Sequence, residues 1–322
     1  MSSVFRVFAT RALPGRAFAD LGDRVDLSIW PGPGAPPRAA LAAGARAADG
    51  LLCLLTDRID SELFDNCPRL RVVSSCSVGL DHVDLAAASA RGIPVGFTPG
   101  VLVETTADFA FGLLLAAARR IPEADRFVRA GEWTQQRRWE PELLLGRDLF
   151  GATLGIIGLG DIGRAVARRA QGFGMRVLGW TRSGREVPGV EAVGLTELLE
   201  AVDMLTIHVA LAPETRDLID ARALARLRPG AVLVNTARGG VVNEAALVQA
   251  LRTGRLAAAA LDVFEAEPLD PASPLLAAPN LILAPHIGSA SVATRARMAD
   301  LAVANLLAGL EGRALLRRAP DA

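Results

Sequence analysis

The chain has 322 residues, of which 51% are hydrophobic, and its 35 basic and 35 acidic side chains give a formal net charge of zero. This length suggests roughly two domains, and the balanced charge offers no basic stripe for nucleic acid. The longest apolar run, near Phe109–Ala118, is too short to span a bilayer, and the N-terminus has no signal-peptide pattern. The three cysteines lack metal-ligand spacing and predict core thiols in a reducing cytosol, with no metal site.

The first part of the chain predicts strands that alternate with helices. Strands are predicted at Val4–Thr10, Val25–Trp30, Gly50–Leu55, Leu70–Ser75 and Ile93–Phe97, and helices over Ala17–Leu21, after Pro31–Pro37 and over Ser61–Asn66. This alternation is typical of a parallel sheet covered by helices. Ligands bind at the carboxyl ends of such strands, so Leu55–Thr56 and Ser77–Gly79 are pocket candidates.

A long apolar helix is predicted over Glu104–Arg120, and the segment Gly131–Leu145 that follows breaks the pattern. This segment carries Trp133 and Trp139 among charged residues. Exposed tryptophans on an irregular segment are typical of interface anchors, although packing onto their own domain would explain them equally well.

The stretch Thr153–Gly163 predicts a dinucleotide-binding turn. It reads TLGIIGLGDIG and combines a short apolar strand, three glycines and the start of a helix. Gly158 allows the sharp turn, Gly160 lets the backbone approach a pyrophosphate, and Gly163 lets the helix pack close to the sheet. The first N–H groups of that helix then face the phosphates.

The next predicted strand, Met175–Trp180, should end near the adenine ribose. NAD sites usually carry Asp or Glu there, but no carboxylate precedes Glu186. The strand is instead followed by a cation between two hydroxyls: Thr181, Arg182 and Ser183. That set suits a 2′-phosphate, so NADP(H) is predicted as the preferred cofactor, with NAD(H) possible. The alternative is that Arg182 and Arg185 are ordinary solvated loop charges.

The remaining pattern completes a second parallel sheet. Strands are predicted at Asp203–His208, Ala231–Asn235, Ala257–Leu261 and Leu281–Ala284, and helices over Leu218–Leu227, Asn243–Arg252 and Ser291–Leu310. The last helix is expected to cross back to the first domain. The predicted organisation is therefore a discontinuous substrate-binding domain, residues 1–101 and 287–322, and a dinucleotide-binding domain, residues 102–286.

Three residues that follow strands in the second half carry candidate chemistry: Arg238, Glu267 and His286. A histidine in a loop is a candidate general acid, and a nearby carboxylate would hold its ring. An arginine beside them could bind a carboxylate and polarise a carbonyl. Reduction of a 2-keto acid needs a hydride donor, a proton donor and a cation, and this set supplies the last two.

The sequence resembles the D-isomer-specific 2-hydroxyacid dehydrogenases. Matching stretches, in the family's order, are SVGLDHVD at Ser77–Asp84, GLGDIG at Gly158–Gly163, NTARG at Asn235–Gly239, LDVFEAEP at Leu261–Pro268 and PHIGSA at Pro285–Ala290. The segment Thr98–Ala110, the WEP at Trp139–Pro141 and the basic TRS are similar to the glyoxylate/hydroxypyruvate reductase branch.

The resemblance implies an α/β fold with two Rossmann-like or flavodoxin-like domains, parallel sheets, and an active site in the cleft between them. It implies that His286 donates the proton, Glu267 tunes it and Arg238 orients the substrate. Substrate contacts are expected from Leu55, Trp139 and the backbone N–H groups of Val78 and Gly79. Further cofactor contacts are expected from Thr106, Leu159, Asp161, Ile162, His208, Val209, Thr215, Thr236, Ala237, Asp262 and Gly288.

The expected function is therefore reduction of glyoxylate to glycolate and of hydroxypyruvate to D-glycerate with NADPH, by a cytosolic homodimer joined through its nucleotide domains. In the reductase branch a tryptophan matching Trp139 can reach the neighbour's active site. One departure is Ala210, where many relatives have proline. Two alternatives stay open: a dehydrogenase for a bulkier 2-keto acid or 2-ketogluconate, and a cofactor-sensing binding protein like the corepressors that share this fold and keep the same three residues.

Overall fold

The computed structural model describes residues 4–320 and contains two compact units. One unit comprises the chain up to Leu102 together with the chain from Ala290, and the other comprises Val103–Ser289. The predicted boundaries therefore differ slightly: Leu102 lies in the first unit and the segment 287–289 lies in the second.

The first unit is built on a five-stranded parallel sheet with the order β2-β1-β3-β4-β5. Its strands are β1 Phe5–Ala9, β2 Val25–Ile29, β3 Gly50–Cys53, β4 Val72–Ser75 and β5 Val95–Gly96. Every residue of β3 and β4 is buried, as expected of strands that helices cover on both faces. The chain passes from β1 to β2 and returns on the other side of β1 as β3, so the strand order reverses between β1 and β3.

Helices cover this sheet: α1 Arg38–Ala47, α2 Ser61–Asp65, α3 Leu85–Ala90 and α10 Val292–Leu310. Ser291 caps α10 by accepting a hydrogen bond from the Thr294 N–H. The Ser74 hydroxyl on β4 donates to the Ala302 carbonyl of α10 over 2.7 Å. The helix predicted around Ala17–Leu21 is instead of the 3₁₀ type and extends over Ala17–Arg24, with a kink at Gly22, whose φ is +53°.

The second unit is built on a seven-stranded parallel sheet with the order β12-β11-β10-β9-β6-β7-β8. Its strands are β6 Thr153–Ile157, β7 Arg176–Trp180, β8 Glu191–Ala192, β9 Met204–Ile207, β10 Ala231–Asn235, β11 Leu256–Leu261 and β12 Leu281–Leu283. The order reverses between β6 and β9, the place where open parallel sheets bind ligands. The two parallel sheets confirm the predicted α/β fold class with Rossmann-like units.

The helices of the second unit are α4 Val103–Ala118, α5 Ile121–Arg129, α6 Asp161–Gly172, α7 Leu195–Ala201, α8 Ala221–Arg226 and α9 Glu244–Arg252. The helix predicted over Glu104–Arg120 ends early, because Arg120 takes a left-handed φ of 54° and a separate α5 begins after it. Arg169 on α6 binds Asp108 on α4 over 2.5 Å and so ties these two helices together. The segment Gly131–Leu145 has neither helix nor strand, as its sequence indicates.

Candidate active site

The glycine turn after β6 has the shape that a pyrophosphate requires. Gly158 has a φ of +95°, and a Cβ on it would lie 2.5 Å from the His208 carbonyl oxygen. A Cβ on Gly163 would collide with the Gly158 carbonyl, whereas one on Gly160 would meet no atom within 4 Å. No side chain caps the start of α6, so its first N–H groups are available to an anion. These residues therefore fit the phosphates of a dinucleotide.

A pocket of about 510 Å³ adjoins this turn. Its walls come from the glycine turn, the end of β7 and the loop after β9: Gly158, Leu159, Gly160, Trp180, Thr181, Arg182, Ser183, Arg185, Val209, Ala210, Ala212, Glu214, Thr215 and Leu218. The pocket thus brings together most of the predicted cofactor residues of this region. Asp161, Ile162, Gly163 and His208 are not among its walls, and the sequence analysis missed Trp180, Ala212, Glu214 and Leu218.

The loop after β9 is held by one hydroxyl. Thr215 Oγ1 accepts from the Ala212 N–H over 2.8 Å and donates to the Ala210 carbonyl over 2.7 Å. Next to it, a carboxylate oxygen of Glu214 lies 3.8 Å from the Arg182 guanidinium. The pocket therefore contains a carboxylate that comes from a different strand end than the basic TRS turn.

His208, just before this loop, is bound to Thr206 through its ring. The Nε2 to Thr206 Oγ1 distance is 2.9 Å, and burial lowers the pKa of His208 to about 4. His208 is therefore neutral at pH 7.

The predicted acid, His286, and its carboxylate partner Glu267 form a hydrogen-bonded pair in the second unit. His286 Nδ1 and Glu267 Oε2 are 2.7 Å apart, and Glu267 Oε1 accepts from the Phe264 N–H over 3.0 Å. Burial acts to raise the pKa of Glu267, but these hydrogen bonds and the charges of His286 and Arg238 outweigh it and hold that pKa below its usual value. The ionised carboxylate accepts a hydrogen bond from Nδ1–H, which leaves Nε2 as the ring nitrogen available to bind a substrate.

Asp262 holds the histidine loop in place. Its backbone carbonyl accepts from the His286 N–H, and its two carboxylate oxygens accept from the Ile287 and Gly288 N–H groups, each over 2.8 Å. His286 itself has a left-handed φ of 54°, a conformation that such contacts must maintain. Asp262 is only 1% exposed, and burial raises its pKa although the two N–H bonds oppose the shift. This positioning role was not predicted.

The arginine loop after β10 is equally constrained. The buried Asn235 accepts from the Ala237 N–H over 3.0 Å and donates to the Arg238 carbonyl over 2.9 Å. A Cβ on Gly239 would collide with the backbone of Phe264, so this loop packs directly against the loop that carries Glu267. The structure thereby brings Arg238, Glu267 and His286 into one group.

One polar atom near this group has no partner among the described residues. The hydroxyl of Thr236 is buried and makes no hydrogen bond there. Buried hydroxyls are almost always bonded, so a ligand atom would complete this one, in keeping with its prediction as a cofactor contact. Thr106 on α4 lies close by Gly288: its methyl carbon is 3.4 Å from where a Cβ would stand on that glycine.

The first unit holds the loop Ser77–Gly79 by a chain of hydroxyls. Ser77 Oγ donates to the Gly79 carbonyl over 2.8 Å, and the Ser75 hydroxyl lies 2.7 Å from Ser77 Oγ and 2.9 Å from His82 Nε2. Because the Ser77 proton is used on Gly79, the Ser75 hydroxyl donates to Ser77 and His82 Nε2–H donates to Ser75. Within residues 4–320, no hydrogen bond uses the backbone N–H of Val78 or Gly79. Two adjacent unused N–H groups suit an anion.

Leu55 lies in the turn after β3, and Asp57 fixes this turn. The Asp57 carboxylate accepts from the Leu54 N–H over 2.7 Å and from the Thr10 hydroxyl over 2.5 Å. Thr10 follows β1, so this contact joins the two strands between which the sheet order reverses. Leu55 itself is partly exposed at that edge.

Trp139 is 80% exposed in its own unit, so packing within that unit does not explain it. Trp133 is also exposed, and its ring N–H donates to the Arg138 carbonyl over 3.0 Å. The segment is organised by Arg137, which pairs with Glu140 over 3.1 Å and lies over the Phe127 ring.

Neither a membrane-spanning helix nor a metal site is found in the described part of the chain. No helix there combines the length and apolar character needed to cross a membrane. Nor do residues 4–320 contain a group of three His, Cys, Asp or Glu side chains placed to hold a metal ion.

Comparison with known proteins identifies relatives along the whole chain. Residues 111–288 match the family model described as "D-isomer specific 2-hydroxyacid dehydrogenase, NAD binding domain". A glyoxylate reductase of Korarchaeum cryptofilum is 48% identical over 311 residues, which cover 95% of this chain and 93% of that protein. A crystal structure of a Thermus thermophilus protein superposes with a TM-score of 0.93 at 48% identity, covering 98% of this chain and all of the other.

A second similar solved structure is that of an enzyme with its cofactor bound. It is an NADPH-dependent glyoxylate/hydroxypyruvate reductase of Sinorhizobium meliloti in complex with NADP and malonate. It is 38% identical, with a TM-score of 0.87, and the match covers 99% of this chain and 98% of that one.

Proposed function

The chain belongs to the D-isomer-specific 2-hydroxyacid dehydrogenase family, in its glyoxylate reductase branch, and from this we propose that it reduces glyoxylate to glycolate and hydroxypyruvate to D-glycerate with NADPH. The observation that carries the proposal is the Glu267–His286 pair, 2.7 Å apart, beside Arg238 in the unit that also holds the glycine turn. The domain roles follow: the second unit binds the nucleotide and the first binds the substrate.

The nucleotide would be held by the glycine turn and the pocket that adjoins it. When bound, a reduced nicotinamide supplies the hydride that the carbonyl carbon accepts. The preference for NADP(H) is supported by Arg182, Arg185, Thr181 and Ser183 in one pocket wall, and by the NADPH-dependent relative of S. meliloti. All the predicted cofactor contacts stay predictions, both those of the residues that line the pocket and those of Asp161, Ile162, Gly163, His208, Ala237, Asp262, Thr106 and Gly288, which do not.

The proton comes from His286. Its Nδ1–H stays bonded to the Glu267 carboxylate, so the ring cannot rotate away while Nε2 donates its proton to the keto oxygen. Arg238 attracts the substrate carboxylate and polarises the carbonyl, because a guanidinium binds carboxylate oxygens in a fixed geometry. Asp262 keeps His286 in its left-handed backbone conformation during this step.

The substrate carboxylate is assigned to the backbone N–H groups of Val78 and Gly79. The hydroxyl chain from His82 through Ser75 and Ser77 fixes this loop, so both donors are pre-oriented. Leu55 would border the substituent on the carbonyl carbon of the substrate. A 2-keto acid with a larger substituent would need more room there.

We assign the working form to a cytosolic homodimer joined through the nucleotide-binding units. Support comes from exposed apolar side chains along one stretch of that unit: Val128, Trp133, Trp139, Leu145 and Phe150. Such a concentration is typical of an interaction surface, and it allows Trp139 to reach a partner's active site. The three cysteines are buried thiols, as expected in a reducing compartment.

The decisive experiment measures oxidation of NADPH and of NADH by the purified protein with glyoxylate and with hydroxypyruvate. Rapid oxidation of NADPH on either acid supports the proposal, and faster turnover with NADH overturns the cofactor preference. Failure with both acids but turnover of a 2-ketogluconate would replace the substrate assignment. Failure with every keto acid, with tight nicotinamide binding retained, would favour a cofactor-sensing binding protein.

A further inference from the structure

The nucleotide pocket contains one acidic side chain, Glu214, that the sequence pattern did not associate with it. The turn after β7 has no carboxylate before Glu186, and Glu186 is not among the pocket walls. Glu214 reaches the pocket from the loop after β9 instead and pairs with Arg182 at 3.8 Å. Glu214 therefore lies next to the basic turn that is predicted to distinguish NADP(H) from NAD(H), and its charge can affect that choice.

We propose that Glu214 gives this pocket a second mode of binding, in which its carboxylate accepts a hydrogen bond from the ribose 2′-hydroxyl of NAD(H). In the first mode Arg182 leaves Glu214 and binds the 2′-phosphate of NADP(H). Glu214 is therefore a specificity-determining residue that moderates the preference for NADP(H). This inference rests on the proposed function only in taking the pocket as the adenosine end of a nicotinamide cofactor.

The Arg182–Glu214 ion pair is weak enough for a ligand to separate the two side chains. Both side chains are mostly exposed, at 81% and 63%, and the closest atoms are 3.8 Å apart. Exposed pairs of this kind are weak, so a phosphate that carries close to two charges displaces the carboxylate from the guanidinium. A neutral 2′-hydroxyl does not compete with the Glu214 carboxylate for the guanidinium, so Arg182 stays paired with Glu214 when NAD(H) is bound.

The carboxylate is nevertheless held in position by its loop. Thr215 spends its hydroxyl on Ala210 and Ala212, which fixes the backbone on either side of Glu214. The opposing turn is fixed in a similar way, because Thr181 Oγ1 accepts from the Arg185 N–H over 2.9 Å. Two loops with internal hydrogen bonds thus present one anion and two cations to the same pocket.

The two modes respond in opposite directions to removal of the Glu214 charge. A 2′-phosphate is repelled by the carboxylate and should bind better without it. A 2′-hydroxyl loses a charged acceptor and should bind less well. A residue that only shapes the loop would change the binding of both nucleotides in the same direction.

The test is calorimetric titration of the full-length protein with adenosine 2′,5′-bisphosphate and with 5′-AMP, which differ at the 2′ position. In Glu214→Gln we expect the bisphosphate to bind about 3–10-fold more tightly and 5′-AMP about 3-fold more weakly, the size of one screened charge contact. The matched control is Glu186→Gln, which removes the same charge from an exposed residue outside the pocket walls and should leave both affinities within about twofold. Arg182→Ala should weaken the bisphosphate about tenfold and spare 5′-AMP.

Equal or parallel changes of both affinities in Glu214→Gln would overturn the inference, and so would a wild-type protein that binds neither probe. Glyoxylate reduction by the same preparations reports on the proposed function separately. A selective shift in nucleotide binding without keto-acid turnover would leave the inference standing and remove the proposed reaction. Turnover with no selective shift would do the reverse.

Discussion

The two parallel sheets end in different chemistry at their carboxyl edges. In the first unit these loops offer backbone N–H groups, and the hydroxyls of Ser75 and Ser77 and the carboxylate of Asp57 hold the loops in place. In the second unit the loops carry charged groups, with Arg238 beside the Glu267–His286 pair. Under the proposed function, the same type of sheet would provide backbone donors for the substrate in one unit and the proton donor in the other. Changes in the first unit should act on KM, and changes in the second on kcat.

The largest effect is expected from His286→Asn, which tests whether the second unit determines kcat. Without a general acid we expect kcat to fall by about a hundred- to ten-thousand-fold, the usual contribution of such a group. Asn cannot transfer a proton but is close to His in size, so NADPH binding and the thermal midpoint should be retained. Steady-state kinetics with glyoxylate, alongside a fluorescence titration of NADPH, measure both. Near-normal turnover would remove the second unit from the proton transfer.

The next largest effect is expected from Glu267→Gln. The amide keeps a hydrogen-bonding group next to His286 Nδ1 but loses the charge, so kcat should fall about 10–100-fold. Because the pKa of Glu267 lies below its usual value, the carboxylate stabilises the folded state at neutral pH. That stability is lost as the pH falls through this lowered pKa. The thermal midpoints of wild type and variant should therefore differ at pH 7 and converge in acid.

Glu265→Gln is the matched control for Glu267→Gln. Glu265 is an exposed carboxylate two positions away that lies 3.8 Å from Arg216. Its substitution should leave kcat within about twofold, because exposed pairs contribute little. If both variants lost activity equally, the effect would come from the loop and not from the partner of His286.

The charged group of the second unit could be predicted from sequence because each member lies in the loop after its own strand. Parallel strands carry their carboxyl ends to one edge, so Arg238, Glu267 and His286 were expected together, and the structure places them so. Glu214 could not be found this way, since it enters the pocket from the loop after β9 while the sequence rule inspects the end of β7. The separate α5 escaped prediction because its boundary depends on the left-handed conformation of Arg120, for which the sequence carries no glycine signal.

A smaller effect, on KM and not on kcat, is expected in the first unit from Ser77→Ala. Losing the bond to the Gly79 carbonyl loosens the loop that offers the Val78 and Gly79 N–H groups. We expect the KM for glyoxylate to rise about 3–10-fold, the value of one hydrogen bond, with kcat within about twofold. Ser28→Ala, on the exposed side of β2, is the control. A fall in kcat at unchanged KM would mean that the first unit takes part in the chemistry.

The last prediction concerns stability and not activity, and it rests on the buried ring of His208, which is neutral at pH 7. Burial lowers its pKa to about 4, whereas an unfolded histidine titrates near 6.5. Between these values the unfolded chain binds more protons, so the free energy of unfolding falls as the pH is lowered from about 6.5 to about 4 and loses nothing further from this group below that. His208→Asn cannot titrate, and its amide can still bond Thr206. Denaturant unfolding at pH 7 and pH 4.5 should therefore show a loss that is smaller in the variant by about 1–3 kcal/mol. Equal losses in both proteins would mean that His208 takes up its proton in the folded state as readily as in the unfolded chain.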